Sequence, residues 1–335
     1  MRICVLGAGT WGTALASLLV GNGNSVVLWS AISSEIDTLS TTKRHKNLPD
    51  ATIPDELRYS KDIAEACSGA ELVLFVVPSE YIRSTARLAV PCLDDGVILA
   101  SAAKGIEPRT LMTMTEIIED EVRAARPELK FTSVAISGPT HAEEVSRGLP
   151  TSIVSASEDE SVAMEIAKIF SNSCMRAYTN TDIRGVEIAG AFKNIIALAS
   201  GINRGMGFGD NSQAMLMTRG IAEITRIGLA MGCKRRTFMG LAGIGDLIVT
   251  CTSRHSRNNR CGELVGRGLS YDEAAREIGM VVEGYHALDA AIELAEKFGV
   301  EMPITRAVYD VMKLGKPTGV AIEELMSRDL KTEIE

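Results

Sequence analysis

A glycine-rich loop near the start of the chain constrains its fold more than any other feature. Residues 7–12 read Gly-Ala-Gly-Thr-Trp-Gly, between an apolar run and a helical pattern, and fit the spacing G-x-G-x-x-G. Gly7 permits a tight turn, Gly9 leaves room for a pyrophosphate, and Gly12 lets a helix approach a strand closely. Free N–H groups at the start of the helix would then favour an anion. The loop therefore predicts a dinucleotide-binding βαβ unit rather than an ordinary glycine turn.

Strand and helix patterns alternate in the first half of the chain, whereas the second half has only helical patterns. The predicted strands are 2–6, 25–29, 72–77, 97–100, 132–136 and 151–154, with helices between them that include 10–21 and 109–124. The later helices are 185–204, 211–231, 271–278, 286–298, 303–313 and 318–327. We expect an α/β fold in which an N-terminal Rossmann-like dinucleotide-binding domain, residues 1–182, precedes an all-α substrate-binding C-terminal domain, residues 183–335.

Charge and cysteine content exclude several classes of protein. The formal net charge of −8 argues against a general nucleic-acid binder, although it leaves an anionic small ligand open because local fields decide that. The seven cysteines form no C-x-x-C pair, so the sequence indicates neither a disulfide framework nor a metal site. No signal peptide and no apolar run of membrane-spanning length is evident. We expect a cytoplasmic protein with no nucleic-acid partner and no integral membrane segment.

Two charged residues lie in apolar sequence surroundings. The residues three and four positions from Lys193 on a helix are all small or apolar. Burial would lower the pKa of this lysine and make it a proton donor and acceptor near neutral pH. Asp246 follows two glycines among apolar residues, and a buried carboxylate needs a cation, for which Lys193 is a candidate. The alternatives are a lysine that extends along the helix surface to water and an aspartate that caps a helix.

An arginine-rich segment follows Asp246. Residues 252–260 carry three arginines and no acidic residue. The planar guanidinium group offers several donors to phosphate oxygens. A helix is expected to start near Asn258 with Ser256 as its cap. Alone, the segment fits a solvated surface turn at least as well, and its position soon after Asp246 favours the phosphate site.

The segment after the second predicted strand leaves the choice between NAD and NADP open. In NAD-binding folds an acidic residue about 20 positions after the glycine loop binds the 2′-OH of the adenosine ribose. Residues 28–32 contain neither a carboxylate nor an arginine, and Glu35 is the first acidic residue. The basic residues 43–46 could reach a 2′-phosphate, but a solvated loop explains them equally well.

Nine segments resemble, in the same order and at similar spacing, the bacterial NAD(P)-dependent glycerol-3-phosphate dehydrogenase family. They are GAGTWG (7–12), VVPS (76–79), AAKG (102–105), SGPTHAEEV (137–145), GAFKNIIALASGI (190–202), GDNSQAMLMTRG (209–220), LAGIGDLIVTCTS (241–253), SRN (256–258) and VVEG (281–284). The resemblance implies interconversion of sn-glycerol 3-phosphate and dihydroxyacetone phosphate with NAD or NADP, supplying glycerol 3-phosphate for phospholipid synthesis. A homodimer is the expected assembly. One departure is Ala31, where the family often has a basic residue, and this weakens the case for a strong NADP preference.

The resemblance also implies roles for single residues. Lys193 matches the proton acceptor of the family, and Asp246 would orient it. The residues that match substrate-binding positions are Lys104, Gly138, Thr140, Asp246, Ser256, Arg257 and Asn258. The residues that match cofactor-binding positions are Gly7, Gly9, Thr10, Trp11, Gly12, Lys104, Ala142, Arg257 and Glu283.

Two other functions remain as alternatives. A β-hydroxyacid or 6-phosphogluconate-type dehydrogenase also combines a Rossmann domain with a lysine on a helix, but its substrate carries a carboxylate. The Ser-Arg-Asn turn at 256–258 favours a triose phosphate instead. A regulator that senses NAD(P) redox state without catalysis would need no buried lysine–aspartate pair. It would also carry a nucleic-acid-binding element, and the sequence contains no basic recognition helix.

Overall fold

The computed structural model describes residues 1–330 and 332–333 of the chain. The predicted helical domain extends to residue 335, so its positions 331, 334 and 335 lie outside the described residues. The strands are β1 (Arg2–Leu6), β2 (Ser25–Trp29), β3 (Arg58–Ser60), β4 (Leu72–Phe75), β5 (Val97–Ser101), β6 (Phe131–Ser137), β7 (Thr151–Ala156) and β8 (Met175–Asn180). They form one sheet in the order β3-β2-β1-β4-β5-β6-β7-β8, in which only β6 and β7 run antiparallel to each other.

Helices cover both faces of this sheet. They are α1 (Thr10–Gly21), α2 (Ser33–Thr42), α3 (Ile63–Cys67), α4 (Ile82–Ala89), α5 (Met114–Ala125), α6 (Ala142–Val145) and α7 (Glu160–Phe170). Strands β4 and β5 are apolar along almost their whole length because side chains on both faces are buried. The strand order reverses between β1 and β4, and ligands of such sheets bind at the carboxyl ends of the strands at this point. The predicted α/β fold with a Rossmann-like N-terminal part is confirmed.

Some predicted boundaries in this half are wrong. The strand expected at 72–77 ends at Phe75, and the helix expected at 109–124 begins only at Met114. Arg109 and Leu111 have φ angles of 71° and 60°, so the chain turns there instead of forming a helix. Strands β3 and β8, at the two edges of the sheet, are only partly buried and lack an apolar run, so the hydrophobic pattern did not predict them.

Helices make up the regular structure of the described chain from Ile183 onward. They are α8 (Ile183–Gly205), α9 (Asp210–Ala230), α10 (Arg235–Phe238), α11 (Asp246–Thr252), α12 (Arg257–Gly266), α13 (Tyr271–Ile278), α14 (Glu283–Phe298), α15 (Pro303–Leu314) and α16 (Thr318–Met326). Helix α8 lies at the centre and packs against α9, α11, α12 and α14. It is long and apolar enough to cross a membrane, but its apolar stretch is entirely buried inside the protein, which is typical of a core helix.

Helix α8 also joins the helical half to the sheet. It packs against β6, and the buried carboxylate of Glu187 accepts hydrogen bonds from Thr113 Oγ1 (2.7 Å) and from the backbone N–H of Thr115 (2.8 Å). Gly190 faces Ser137 at the end of β6 and the stem of Lys104 beyond the end of β5. The middle of α8 therefore lies at the carboxyl ends of these strands, which is where the candidate site forms.

Candidate active site

The glycine loop has the geometry of a dinucleotide site. Gly7 has a φ of +123°, and a methyl group at Gly12 would collide with the carbonyl oxygen of Gly7, so both positions require glycine. Gly9 precedes α1 without a side-chain cap, and the space beside its Cα is open. The first N–H groups of α1 are therefore available to a pyrophosphate. The residues present fit the nucleotide that the motif predicts.

Other predicted cofactor residues surround this loop. Thr10 Oγ1 accepts a hydrogen bond of 3.2 Å from Asn47 Nδ2, and Trp11 packs with Leu48 against Ala142. Ala142 begins α6, which packs on α1. These contacts place Thr10, Trp11 and Ala142 around one end of α1.

Lys193 and Asp246 form a buried ion pair. Lys193 Nζ lies 2.5 Å from Asp246 Oδ1, and the two residues are only 6% and 1% exposed. Lys104 Nζ binds the other carboxylate oxygen, Oδ2, at 2.6 Å, and also donates to the carbonyl oxygen of Gly138 at 3.2 Å. Asp246 therefore links two ammonium groups from different halves of the chain. It does not cap α11, because no side chain caps that helix.

The burial of this cluster sets its proton affinities. Burial is the main reason that the pKa of Lys193 is lowered to about 8, and the nearby positive charge of Lys104 also lowers this pKa. The negative charge of Asp246 acts to raise the pKa of Lys193. For Asp246, burial alone would raise the pKa, but the ammonium groups of Lys104 and Lys193 hold it below its ordinary value. Lys193 can therefore exchange a proton near neutral pH while Asp246 stays ionised.

Thr250 is a member of this cluster that the sequence analysis missed. Lys193 Nζ donates to its Oγ1 at 2.6 Å, and the hydroxyl in turn donates to the carbonyl oxygen of Asp246. Thr250 lies four residues after Asp246 on α11, so the two share one face of the helix. That spacing is the signal that could have identified it. A π-helical turn, Leu241–Gly245, precedes α11 and places Asp246 at its first position.

The start of α12 forms the arginine corner, residues 256–258. Ser256 caps the helix by accepting from the N–H of Asn259 at 3.2 Å, as expected from the sequence. Arg257 is half-buried, and within the described residues its guanidinium makes no hydrogen bond or ion pair. Burial lowers the pKa of Arg257, whereas Glu283 and Glu143 act to raise it. A partly desolvated cation beside free helical N–H groups is a suitable site for an anion.

The Asn258 side chain has a structural role that the sequence analysis missed. Its Nδ2 donates to Asn194 Oδ1 at 3.0 Å, and its Oδ1 accepts from the N–H of Gly284 at 2.8 Å. These three residues follow directly after Lys193, Arg257 and Glu283. The network therefore fixes helices α8, α12 and α14 relative to each other beside the charged residues. The side chain of Asn258 uses one of its two amide hydrogens in these bonds, so the other hydrogen and the backbone N–H remain as donors for an anion.

Glu283 is hydrogen-bonded to Ser79, in the segment that follows β4. Its carboxylate accepts two hydrogen bonds from Ser79, one from the backbone N–H at 3.1 Å and one from the hydroxyl. Gly105 lies against the Ser79 side chain, so the segments 76–79, 102–105 and 281–284 meet at one place. Thr140 lies near the lysines, because its Oγ1 donates to the Gly138 carbonyl oxygen that Lys104 also binds.

His141 is a further group near the lysine pair. Its Nε2 is buried with no hydrogen-bond partner in the described part of the chain, and its ring lies 5.7 Å from the ring of His255. Burial and the positive charge of Lys193 lower the pKa of His141, which favours the neutral imidazole. Across residues 1–330 and 332–333, no three His, Cys, Asp or Glu side chains are placed to bind a metal ion.

Comparisons with known proteins agree over the whole chain. Family models described as the NAD-dependent glycerol-3-phosphate dehydrogenase N-terminus and C-terminus match residues 2–163 and 182–323. A glycerol-3-phosphate dehydrogenase [NAD(P)+] of Lactobacillus delbrueckii subsp. bulgaricus is 54% identical, with 99% of each chain covered. The Bacillus subtilis enzyme of the same name is 44% identical, and the match covers 100% of this chain and 96% of the Bacillus subtilis chain. A crystal structure of glycerol-3-phosphate dehydrogenase from Coxiella burnetii superposes with a TM-score of 0.92 at 34% identity. The superposition covers 98% of this chain and 99% of the Coxiella burnetii chain.

Proposed function

The chain belongs to the NAD-dependent glycerol-3-phosphate dehydrogenase family, and from that premise we propose how its residues carry out the reaction. The reaction interconverts sn-glycerol 3-phosphate and dihydroxyacetone phosphate, and NAD(P), when bound, supplies or accepts the hydride. The observation that carries the assignment is the buried pair of Lys193 and Asp246. A redox-sensing regulator would need no such pair, and Arg257 at the start of α12 favours a phosphate over the carboxylate of a β-hydroxyacid.

Substrate binding is assigned to the arginine corner and the residues near it. Arg257, whose guanidinium has no partner in the described structure, binds the phosphate of the triose together with the N–H groups at the start of α12. Lys104, Gly138 and Thr140 bind the other end of the substrate. Fixing the phosphate brings C2 to a defined position and lowers the entropic part of the barrier.

Proton transfer is assigned to Lys193. In the oxidative direction its neutral amine takes the proton of the C2 hydroxyl group as the C–H bond breaks. In the reductive direction its ammonium group donates a proton to the oxygen on C2 and stabilises the negative charge that develops there. Asp246 orients the amine through the 2.5 Å contact, and Lys104 keeps Asp246 ionised.

Some finer features belong to the same proposal. We place the boundary between a dinucleotide-binding domain, 1–182, and a helical domain, 183–335, in the loop between β8 and α8. A homodimer is supported by the general frequency of two-fold symmetric enzymes. Cytoplasmic localisation is supported by seven free cysteines, which suit a reducing compartment. We assign the net flow to reduction, which supplies glycerol 3-phosphate for phospholipid synthesis.

The direct test is a spectrophotometric assay of the purified chain. Dihydroxyacetone phosphate is mixed with NADH or NADPH, and the loss of coenzyme absorbance is followed. Unphosphorylated dihydroxyacetone at the same concentration is the control, and we expect at least about 100-fold slower turnover because a charge-assisted phosphate contact is missing. Failure of the phosphorylated substrate to oxidise either coenzyme would exclude the proposed function.

A further inference from the structure

A serine and a glutamate form a hydrogen-bonded pair at the carboxyl end of β2. Ser30 directly follows the strand, and its Oγ donates to Glu35 Oε2 at 2.7 Å while accepting from the N–H of Ile32 at 3.1 Å. Glu35 lies in the first turn of α2, where the helix dipole favours a negative charge. The pair thus holds a carboxylate near the end of the second strand, although Glu35 is six positions beyond Trp29, the last residue of that strand.

This carboxylate lies beside the glycine loop. The N–H of Gly7 donates to the carbonyl oxygen of Trp29 at 2.8 Å, and Leu6 pairs with Trp29 in the sheet, so the ends of β1 and β2 are adjacent. Burial lowers the pKa of His45, while the charge of Glu35 and the backbone of Ala8 in the glycine loop act to raise it. In this fold, the adenosine ribose of a dinucleotide that crosses the loop lies at the end of the second strand.

The residues that follow β2, 30–35, include no lysine or arginine that could bind a 2′-phosphate. Ala31 carries no charge, and within the described residues Glu35 has no ion-pair partner. The side chain of Lys43, the first of the basic residues 43–46, contacts Asp55 and Tyr59 instead. Its Nζ donates to the carbonyl oxygen of Asp55 at 3.3 Å and lies 4.9 Å from the centre of the Tyr59 ring. Arg44 and Lys46 are exposed.

We propose that Ser30 and Glu35 bind the adenosine ribose and make this chain select NAD over NADP. The inference rests on the proposed function for the presence of a nicotinamide dinucleotide, and it adds the coenzyme that the site prefers. The 2′-OH of NAD donates a hydrogen bond to the Glu35 carboxylate. The 2′-phosphate of NADP would place a dianion next to that carboxylate, which opposes binding by charge repulsion.

The chain contains a matched control for this pair. At the end of β3, Ser60 Oγ donates to Glu65 Oε2 at 2.5 Å and accepts from the N–H of Asp62 at 3.0 Å, with the same spacing as the first pair. Because β2 separates β3 from β1, the second pair lies away from the glycine loop. The two pairs therefore share a local structure and differ in their distance from the predicted ribose.

The test measures coenzyme binding without substrate. The fluorescence of NADH and NADPH is titrated with the purified full chain and with the variants Glu35→Gln, Ala31→Arg and Glu65→Gln. For the unaltered chain we expect NADH to bind at least about tenfold more tightly than NADPH. Glu35→Gln should reduce this ratio several-fold, Ala31→Arg should tighten NADPH binding, and Glu65→Gln should leave the ratio unchanged.

The outcomes separate the inference from the proposed function. Equal or tighter binding of NADPH by the unaltered chain would overturn the selection of NAD. An unchanged ratio in Glu35→Gln, or an equal change in Glu65→Gln, would remove the role of Glu35. If Glu35→Gln fails to fold, Ala31→Arg still tests the electrostatics, and no gain in NADPH affinity counts against the proposal. Binding of NADH without any reduction of dihydroxyacetone phosphate would contradict the proposed function but leave the coenzyme preference intact.

Discussion

Lys193 is buried, and its ammonium group contacts Asp246 and Thr250. The sequence predicted this environment, because the residues three and four positions away on the helix are small or apolar. It also indicated Asp246 as the counter-ion. It could not predict that Lys104, from a loop 89 residues earlier, binds the second carboxylate oxygen. That contact depends on α8 packing against β6 and against the stem of Lys104, which no local pattern encodes.

Arg257 provides the sharpest prediction at the residue scale. Arg257→Ala should raise the KM for the phosphorylated substrate by about 10–100-fold, because charge-assisted bonds to the phosphate are lost. Arg254→Ala is the matched control, since Arg254 is exposed in the same turn and should change KM little. Steady-state kinetics of both variants provide the measurement. An unchanged KM in Arg257→Ala, or an equal rise in both variants, would rule out the anchoring role.

Helices α8 and α12 are in contact through glycines. Gly201 and Gly205 on α8 face the backbone of α12, and Gly262 and Gly266 on α12 face the backbone of α8. Without side chains at these positions the two backbones approach closely, and this approach brings Asn194 and Asn258 within hydrogen-bond distance. The sequence predicted both helices but not their contact, because glycine in a helix equally indicates a weak helix.

The close contact between α8 and α12 predicts that a glycine substitution within it lowers stability, whereas a glycine substitution in an open helix does not. In Gly201→Ala the new methyl group would clash with the carbonyl oxygen of Asn259, so we expect a loss of about 1–3 kcal/mol in the free energy of unfolding. Gly319 in α16 has open space around it, and Gly319→Ala should be neutral or stabilising by up to ~1 kcal/mol. Urea denaturation of both variants measures the difference. Equal stability of the two would contradict the close packing of α8 and α12.

For the whole molecule, the sheet order and the central helix bring the two halves of the site together. The sequence predicted the α/β half and the helical half from the loss of strand patterns after about residue 182. It did not predict β3 and β8, because edge strands are partly exposed and lack apolar runs. It also did not indicate that Glu187, a charged residue on α8, is buried against Thr113 and Thr115 and connects the halves.

Glu187 should make the stability of the whole chain depend on pH. Burial raises its pKa from 4.5 to about 7, so folding favours its protonated form. Its contribution to stability is therefore complete below pH 4.5 and is lost as the pH rises through about 7. Glu187→Gln should remove this dependence, worth about 1–3 kcal/mol between the two limits. Denaturation curves from pH 5 to 8 provide the test, and parallel stability profiles for the two proteins would contradict it. Glu223, also buried with a pKa raised to about 7, contributes a separate dependence that remains in the variant.

The pH dependence of catalysis follows from Lys193 by the same reasoning. Oxidation of glycerol 3-phosphate requires the neutral amine, so its rate should rise as the pH passes about 8. Reduction of dihydroxyacetone phosphate requires the ammonium group, so its rate should fall over the same range.

The most direct test of the account is Lys193→Met, assayed in parallel for turnover and for coenzyme binding. Asp246 keeps its contact with Lys104 in this variant, so no unpaired carboxylate is left in the core. We predict that kcat for the reduction of dihydroxyacetone phosphate falls by about 10²–10⁴-fold while the Kd of the coenzyme stays within about twofold. Turnover close to that of the unaltered chain would show that the buried amine does not transfer the proton.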